Sequence, residues 1–422
     1  MTCSRALGPG CLGSSGASPR SRGLPLLRFL GEPAGGSPDR SCGSRPRGGG
    51  GGTSVSSGAS RQRWRLRIGD TTGLTVVDGV VYVSGKSEIY ALDAATGRQR
   101  WQFSTEQYWN DLSAPAVADG VVYFGSKHAD GHLYAMDTLT GQQLWRTTTG
   151  SLATSPVTVD GSCVYIGTLS GLCAVDSATG QQRWGFSGGT VLARPTAAAG
   201  VVYASVAHQD GGGGLYALDA VTGEQKWTFS TGHEWKESSA AAVADGTVYY
   251  GSGHSLCAVD VSSGQERWRL DTGHWVTSNP LVVNGLVYAG SWDRHLYAVD
   301  AATGEVHWTF PTDGPLNSAP VVADDVVYVA GWHDRLYAVL AATGEAQWSF
   351  RAGGSGHAPA VVEGTVYVGS QDGYLYALDA TTSAQPRDED ETAGPADQVP
   401  SPDVRDTPPP IWSWRRLRRR AG

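Results

Sequence analysis

Residues 287–310 read "VYAGSWDRHLYAVDAATGEVHWTF", and this line returns along the chain. Residues 81–103 are "VYVSGKSEIYALDAATGRQRWQF" and residues 164–186 are "VYIGTLSGLCAVDSATGQQRWGF". One tryptophan marks each unit: Trp64, Trp101, Trp145, Trp184, Trp227, Trp268, Trp308 and Trp348, at intervals of 37, 44, 39, 43, 41, 40 and 40 residues. Self-similarity at about 40–45 residues is the period of a four-stranded propeller blade.

Each unit divides into four short strands. Strand A is of the "SAPAV" type (113–117) and strand B of the β-branched, aromatic "VVYFGS" type (121–126). Between them stand Asp78-Gly79, Asp119-Gly120, Asp160-Gly161, Asp245-Gly246 and Asn284-Gly285, pairs that favour a type I′ hairpin because both central residues need φ > 0. A variable loop leads to strand C, "LYALD", and then to D-x-x-T-G, as in Asp93 to Gly97, where the carboxylate can cap the turn amides. Leu340 replaces that Asp in one repeat, so a looser turn is expected there. Strand D ends on W-x-F. In seven of eight repeats the Trp follows a Tyr or Cys of strand C by eleven residues, as from Tyr90 to Trp101. A four-stranded sheet cannot bury both its faces alone, so one Trp per repeat at fixed spacing reads as an inter-blade plug.

Counting V-Y pairs gives eight strands B, starting at Val81, Val122, Val164, Val202, Val248, Val287, Val327 and Val366. The last repeat falters: Ser383 takes the place of the turn glycine and no Trp follows. The first has the opposite surplus, "RQRWRLRIGD" (61–70), with Trp64 and no strands before it. A ring resolves both. Residues of about 61–68 supply strand D of the blade whose strands A to C come from 356–380, which removes the open sheet edge. The expected fold is all-β, an eight-bladed β-propeller of four-stranded antiparallel blades spanning 61–383. It lies between a Gly/Ser/Arg-rich tail (1–60) and a second tail (384–422) that is Pro- and acid-rich before it turns Trp/Arg-rich.

Charge divides along the same lines. Residues 1–60 hold seven Arg against two acids, residues 61–383 hold 18 basic against 31 acidic, and residues 384–422 balance at seven each. An acidic propeller repels phosphate backbones, so nucleic acid is not an expected partner. No apolar run reaches the length of a transmembrane helix, and "MTCSRALGPGCLGSSGASPR" lacks the apolar stretch of a secretory signal. The chain as written is expected in the cytoplasm, as a monomer. The end, "IWSWRRLRRR" (411–420), could touch an anionic membrane surface. Of six Cys, Cys163, Cys173 and Cys257 lie in the repeats and are expected as buried, free thiols.

The "LYALDAATG…W" line resembles the pyrroloquinoline quinone (PQQ) repeat, over residues 61–383. That family includes quinoprotein alcohol dehydrogenases, the propeller lipoprotein of outer-membrane protein assembly, and propellers attached to bacterial Ser/Thr kinases. The resemblance implies the fold firmly and the function weakly, because the motif reports packing between blades. In the dehydrogenases a quinone lies between a Trp and a disulfide of adjacent cysteines, with a calcium ion and a catalytic Asp. This chain has no Cys-Cys pair. Nor does it contain a phosphate loop, a nucleophile elbow or an HExxH helix. No catalytic residue, metal ligand or cofactor is therefore assigned; the alternatives that the resemblance implies are PQQ with Ca²⁺ and dehydrogenase activity, or an outer-membrane-assembly-type propeller scaffold.

The loops between strands B and C, and between strand D and the next strand A, open on one face and carry the unusual residues. All five non-repeat Trp of the domain and nine of ten His fall there. The candidate binding face is Trp109, His128, His233, Trp235, His274, Trp275, Trp292, Arg294, Trp332, Arg335 and His357. Asp293 and Asp334 stand beside the two Arg, so an ion pair within each loop is an equal reading. The expected function is a non-catalytic scaffold or sensor that takes a protein partner or small ligand at this mouth.

Overall fold

The computed structural model describes residues 61–105, 111–126, 131–208, 210–230, 239–332, 335–352 and 357–380. These residues build eight antiparallel sheets, each ordered A–B–C–D. Blade 1 has strand A at Thr71–Val77, B at Val80–Gly85, C at Glu88–Asp93 and D at Gln99–Ser104. In blade 8, strands A to C are Ala360–Val362, Thr365–Gly369 and Tyr374–Asp379, and the fourth is Gln62–Arg67. It pairs antiparallel with strand C, Trp64 opposite Ala377 and Leu66 opposite Leu375. The ring closes as the repeat count required. Blade 4 adds a two-residue strand, Thr190–Val191, beside the end of its strand B, Val201–Ala207. No helix among the described residues is long and apolar enough to cross a membrane.

Strands B and C are buried on both faces, which explains their near-continuous apolar runs. The hydrophobic clusters lie between blades: Tyr82 and Trp101 of blade 1 pack with Val122, Phe124 and Tyr134 of blade 2. Each repeat Trp reaches across this seam. Trp101 Nε1 donates to Thr138 O of the next blade (2.8 Å), Trp268 to Ala301 O (3.0 Å), and Trp64 of blade 8 to Ala94 O of blade 1 (3.0 Å). The strand-B tyrosine of its own blade flanks each ring, as Tyr249 does Trp268 and Tyr367 does Trp64, both with centroids 5.9 Å apart. The glycine of the next blade's D-x-x-T-G turn covers the other face. A Cβ on Gly97 would lie 2.8 Å from the Trp64 ring, and φ there is +70°. That glycine thus serves both the left-handed turn and the indole beneath it. Trp348 differs: its Nε1 is buried without a hydrogen-bond partner among the described residues, and the Arg61 guanidinium stands over its ring at 4.6 Å. Ser383 lies outside the described residues.

The D-x-x-T-G carboxylate caps its turn as expected: Asp93 Oδ1 accepts from Thr96 N (3.0 Å) and Thr96 Oγ1 (2.7 Å). A strand-D cation seven residues on completes the group, Arg100 on Asp93 at 2.9 Å and Arg183 on Asp176 at 2.6 Å. These bonds, the Arg first, pull both carboxyls down to about 2. Two details depart from the sequence reading. The turn at Leu340 is not looser along the backbone, since Gly344 N still bonds Leu340 O at 2.9 Å, as Gly97 N bonds Asp93 O at 2.8 Å; only the side-chain cap is lost. The A–B turn of blade 3 is shifted by one residue, because Asp160 pairs with Cys163 and leaves Gly161-Ser162 as the loop. The other predicted turns do carry φ > 0 at both central residues, as at Asp78 (48°) and Gly79 (69°).

Candidate functional site

Three of the predicted tryptophans converge. Trp275 comes from the loop entering blade 6, Trp292 from the B–C loop of blade 6, and Trp332 from the B–C loop of blade 7. Trp275 and Trp292 meet edge to face with centroids 5.3 Å apart, and Trp292 and Trp332 lie tilted at 6.1 Å. His274 joins them, edge-on to Trp275 at 4.9 Å and stacked on Trp292 at 6.0 Å. His254, from the B–C loop of blade 5, stacks on His274 at 5.4 Å. The three indoles and His274 are half-buried and His254 is exposed. The sequence reading did not single out His254; its signal was a histidine in a B–C loop, the position class that supplied the tryptophans.

Backbone and side-chain bonds hold the cluster in place. Trp292 N donates to Trp275 O (2.9 Å) and Trp332 N to Pro315 O (3.0 Å). Trp292 Nε1 donates to Thr277 Oγ1 (2.8 Å), and Trp275 N to His274 Nδ1 (2.8 Å), which leaves Nε2 as the protonated nitrogen of a neutral ring. Asp293 ties the two loops together: its carboxylate accepts from Gly273 N (2.8 Å), His295 N (3.0 Å) and the Tyr297 hydroxyl (2.7 Å). Burial, then the bond to Asp293, raises the Tyr297 phenol well above the usual tyrosine range, so it stays a donor. Indole faces packed against one another, that of Trp292 with its edge already bonded, offer apolar, polarisable area that loses little conformational entropy on contact.

Of the two within-loop ion pairs considered, Arg294 with Asp293 is not formed, and Arg335 with Asp334 involves a residue outside the described ones. Arg335 Nε meets Asp313 Oδ2 of the preceding D–A loop at 3.1 Å, and its Nη1 meets Ser349 Oγ at 3.0 Å. Arg294 forms no ion pair among the described residues, while Asp293 is taken up by the bonds above. Arg294 is exposed, and its φ is +71°. The matching loop of blade 8 puts Gly373 there, at φ +84°; in both loops this residue donates its amide to the serine three positions earlier. A non-glycine residue in that region costs about 1 kcal/mol or more, and such strain gathers at functional positions. His357 sits elsewhere, half-buried at the inner start of blade 8 in the register position of Ser318 in blade 7. Trp109, His128, His233 and Trp235 lie outside the described residues, as does Asp334.

The dehydrogenase alternative asks for adjacent cysteines and a calcium site. Cys163 faces Asp176 and Cys173 faces Ile166 across the same strand pair, in clusters on opposite faces of blade 3. Both are free and buried, as is Cys257. Burial pushes the Cys173 thiol up to about 11 and Cys257 up to about 12. Among the described residues no group of three or more His, Cys, Asp or Glu is placed to hold a metal ion. Among the described residues, then, neither adjacent cysteines nor a calcium-type donor group is present.

The sequence profile of the outer membrane protein assembly factor BamB family, a PQQ-repeat family, matches residues 53–185, 129–274 and 268–410. Comparison with curated proteins gave no match. Among solved structures, BamB from Moraxella catarrhalis superposes with a TM-score of 0.63 at 19% identity, covering 75% of this chain and 99% of its own. The computationally designed Ika8 protein gives 0.65 at 18%, covering 76% and 100%. The quinohemoprotein alcohol dehydrogenase from Comamonas testosteroni gives 0.62 at 18%, covering 79% and 78%. An assembly factor, a designed protein and an enzyme share the architecture, so these likenesses speak for the fold alone.

Proposed function

Because the chain belongs to the PQQ-repeat family of the outer membrane protein assembly factor BamB, we propose that it is a non-catalytic binding module that takes a protein partner at the B–C/D–A face of blades 5 to 7. The observation that carries this reading is the cluster of Trp275, Trp292 and Trp332 with His274 and His254. Half-exposed indoles held side by side on a water-facing rim are costly unless something covers them. Trp and Arg are also the residues that most often anchor protein interfaces, and Arg294 and Arg335 border the cluster. The family description, an assembly factor, favours a protein over a small molecule as the occupant.

The test is co-purification of cross-linked partners with the whole chain and with Trp292→Ala and Trp332→Ala. Partners recovered by the parent chain should be depleted at least tenfold by either variant, at a temperature where both variants remain folded. Equal recovery at equal stability overturns the assignment of this face. Titration with PQQ and Ca²⁺ addresses the cofactor separately: no saturable change in absorbance or melting temperature is expected, and a saturable one would replace the binding module with the dehydrogenase.

A further inference from the structure

The innermost strands share a short bulge at their start. Three residues before the first A–B pair, a serine turns its hydroxyl back onto strand B: Ser113 Oγ accepts from Gly125 N (2.9 Å), Ser239 from Gly251 N (2.8 Å), Ser278 from Gly290 N (3.1 Å) and Ser318 from Ala330 N (3.0 Å). The residue immediately before the strand is also buried, as at Pro115, Pro280 and Pro320. Alternation then turns the residue between them the other way, toward the axis of the ring. Contacts between neighbouring blades agree. A Cβ on Gly73 of blade 1 would fall 2.3 Å from Ala114 Cβ of blade 2, and Ala240 N of blade 5 donates to Asn279 Oδ1 of blade 6 at 2.8 Å. In these two pairs of blades the positions touch, and the shared register sets the eight positions as a collar around the axis.

Seven blades place an uncharged residue in the collar. Blade 4 places Arg194, two residues ahead of its innermost strand Thr196–Ala198. Val191 is opposite Val206 and Thr196 is opposite Tyr203, so four residues, 192–195, face only two on the partner strand. Blade 3 has the same bulge between Ala153–Thr168 and Thr158–Tyr165, and there Pro156 holds the position of Arg194. Water reaches Arg194, which is exposed. Yet the protein crowds it enough that desolvation lowers its pKa, with no carboxylate among the described residues to offset this. The register places this exposed, unpaired arginine at the collar position of its blade. An unpaired guanidinium in such a place is costly without a counter-charge, and its planar fork matches carboxylate and phosphate oxygens in pairs.

We propose that Arg194 and the collar around it form a binding site for a small free oxyanion, a carboxylate or a phosphate, on the axis of the propeller. The site is separate from the tryptophan cluster and does not depend on what that cluster binds. The equivalent positions of the other blades carry neutral residues such as Gly73, Ala114, Pro156 and Ala240, and the acidic domain makes Arg194 a local exception in sign.

The experiment titrates the full chain with inorganic phosphate and, separately, with succinate, with ionic strength held by sodium chloride. Calorimetry and thermal unfolding are the readouts. One saturable site is expected for at least one probe, with the melting temperature rising along the same isotherm; phosphate alone or succinate alone identifies the oxyanion class. Arg194→Gln should lose the saturable response, Arg194→Lys should weaken it at least fivefold, and Trp292→Ala should retain it. Without either probe, Arg194→Gln should melt at or above the parent temperature, because it removes an unpaired, crowded charge. No saturable binding to the parent chain, or equal binding by Arg194→Gln, overturns the proposal.

Discussion

Replacing Trp64 with alanine tests the closure of the ring against an internal standard. Trp64 donates to Ala94 O at 3.0 Å, has Tyr367 at 5.9 Å, and is covered by Gly97, whose Cβ would lie 2.8 Å from the ring. Trp268, inside the repeat array, has the same surroundings: Ala301 O at 3.0 Å, Tyr249 at 5.9 Å and Gly304 at 2.8 Å. Truncation of a buried Trp removes about 3–5 kcal/mol; both indoles are half-buried, which favours the lower end, about 3 kcal/mol. With an unfolding entropy of about 2.1 cal/mol/K per residue over roughly 320 residues, 3 kcal/mol corresponds to a fall of about 4–5 °C. Calorimetry of the parent, Trp64→Ala and Trp268→Ala should show two losses that agree within about 2 °C. The decisive point is that Trp64 is remote in sequence from the strands it joins, so only ring closure makes it equivalent to Trp268. If Trp64→Ala melts with the parent while Trp268→Ala falls, residues 62–67 are not strand D of blade 8.

Other consequences follow from the same geometry. Gly97→Ala should cost clearly more than Gly79→Ala: φ is +70° and +69°, but only Gly97 has a ring in the way, so equal losses in denaturant unfolding would remove the second role given to that glycine. Asp93, Asp176 and Asp219 each have a carboxyl drawn down to about 2, by Arg100, Arg183 and Lys226 first. Their folded pKa values lie below the unfolded value of about 3.9, so their stabilisation is complete above about pH 4 and is lost as pH falls toward 2. The triple Asn variant should therefore show a flatter fall of melting temperature over that window, and an unchanged slope would mean other groups dominate. Arg294→Gly should stabilise the chain by about 1 kcal/mol in denaturant unfolding by relieving φ +71°, while weakening partner recovery at the mouth; a loss of stability would mean that the Arg294 side chain is structural.

What was legible in the sequence was whatever every blade needs. The Trp, the strand-B Tyr and the turn Gly form one packing unit, so their spacing recurs and exposes blade number, strand order and the closing strand. The Asp-Gly hairpins were legible for a local reason, the demand for φ > 0 at two successive residues. Features set by pairing register were not. The bulge before strand A hides in "SAPAV" because nothing in the letters marks where ladder pairing begins; the strand of blade 2 is Ala116–Ala118. Likewise the blade 3 turn slips by one residue only because Asp160 and Cys163 pair. The candidate mouth was legible as a set of loops but not as a cluster. Trp275 and Trp292 meet because two loops of blade 6 lean on one another through Trp292 N–Trp275 O and Asp293–Gly273 N, and Trp332 of blade 7 joins them through its ring contact with Trp292. The pairing of Arg335 with Asp313 crosses loops for the same reason.

The division between repeat and exception also bears on where function can reside. A residue that recurs in each blade is accounted for by the seam it fills, and the eight repeat tryptophans need no ligand to explain them. The informative residues are those that occupy a standard position with the wrong chemistry. Arg294 stands where blade 8 uses glycine, and Arg194 stands where seven blades use an uncharged residue. Neither improves the fold: the first adopts a left-handed backbone that a side chain resists, and the second holds an unpaired charge among crowded neighbours. Both lie toward the same end of the molecule, one on the rim beside the tryptophans and one on the axis. A structural role would predict that glycine or a neutral residue at these two positions weakens the chain. A binding role predicts the opposite sign, greater stability with lost recognition, and that sign separates the two accounts whichever ligands the two positions take.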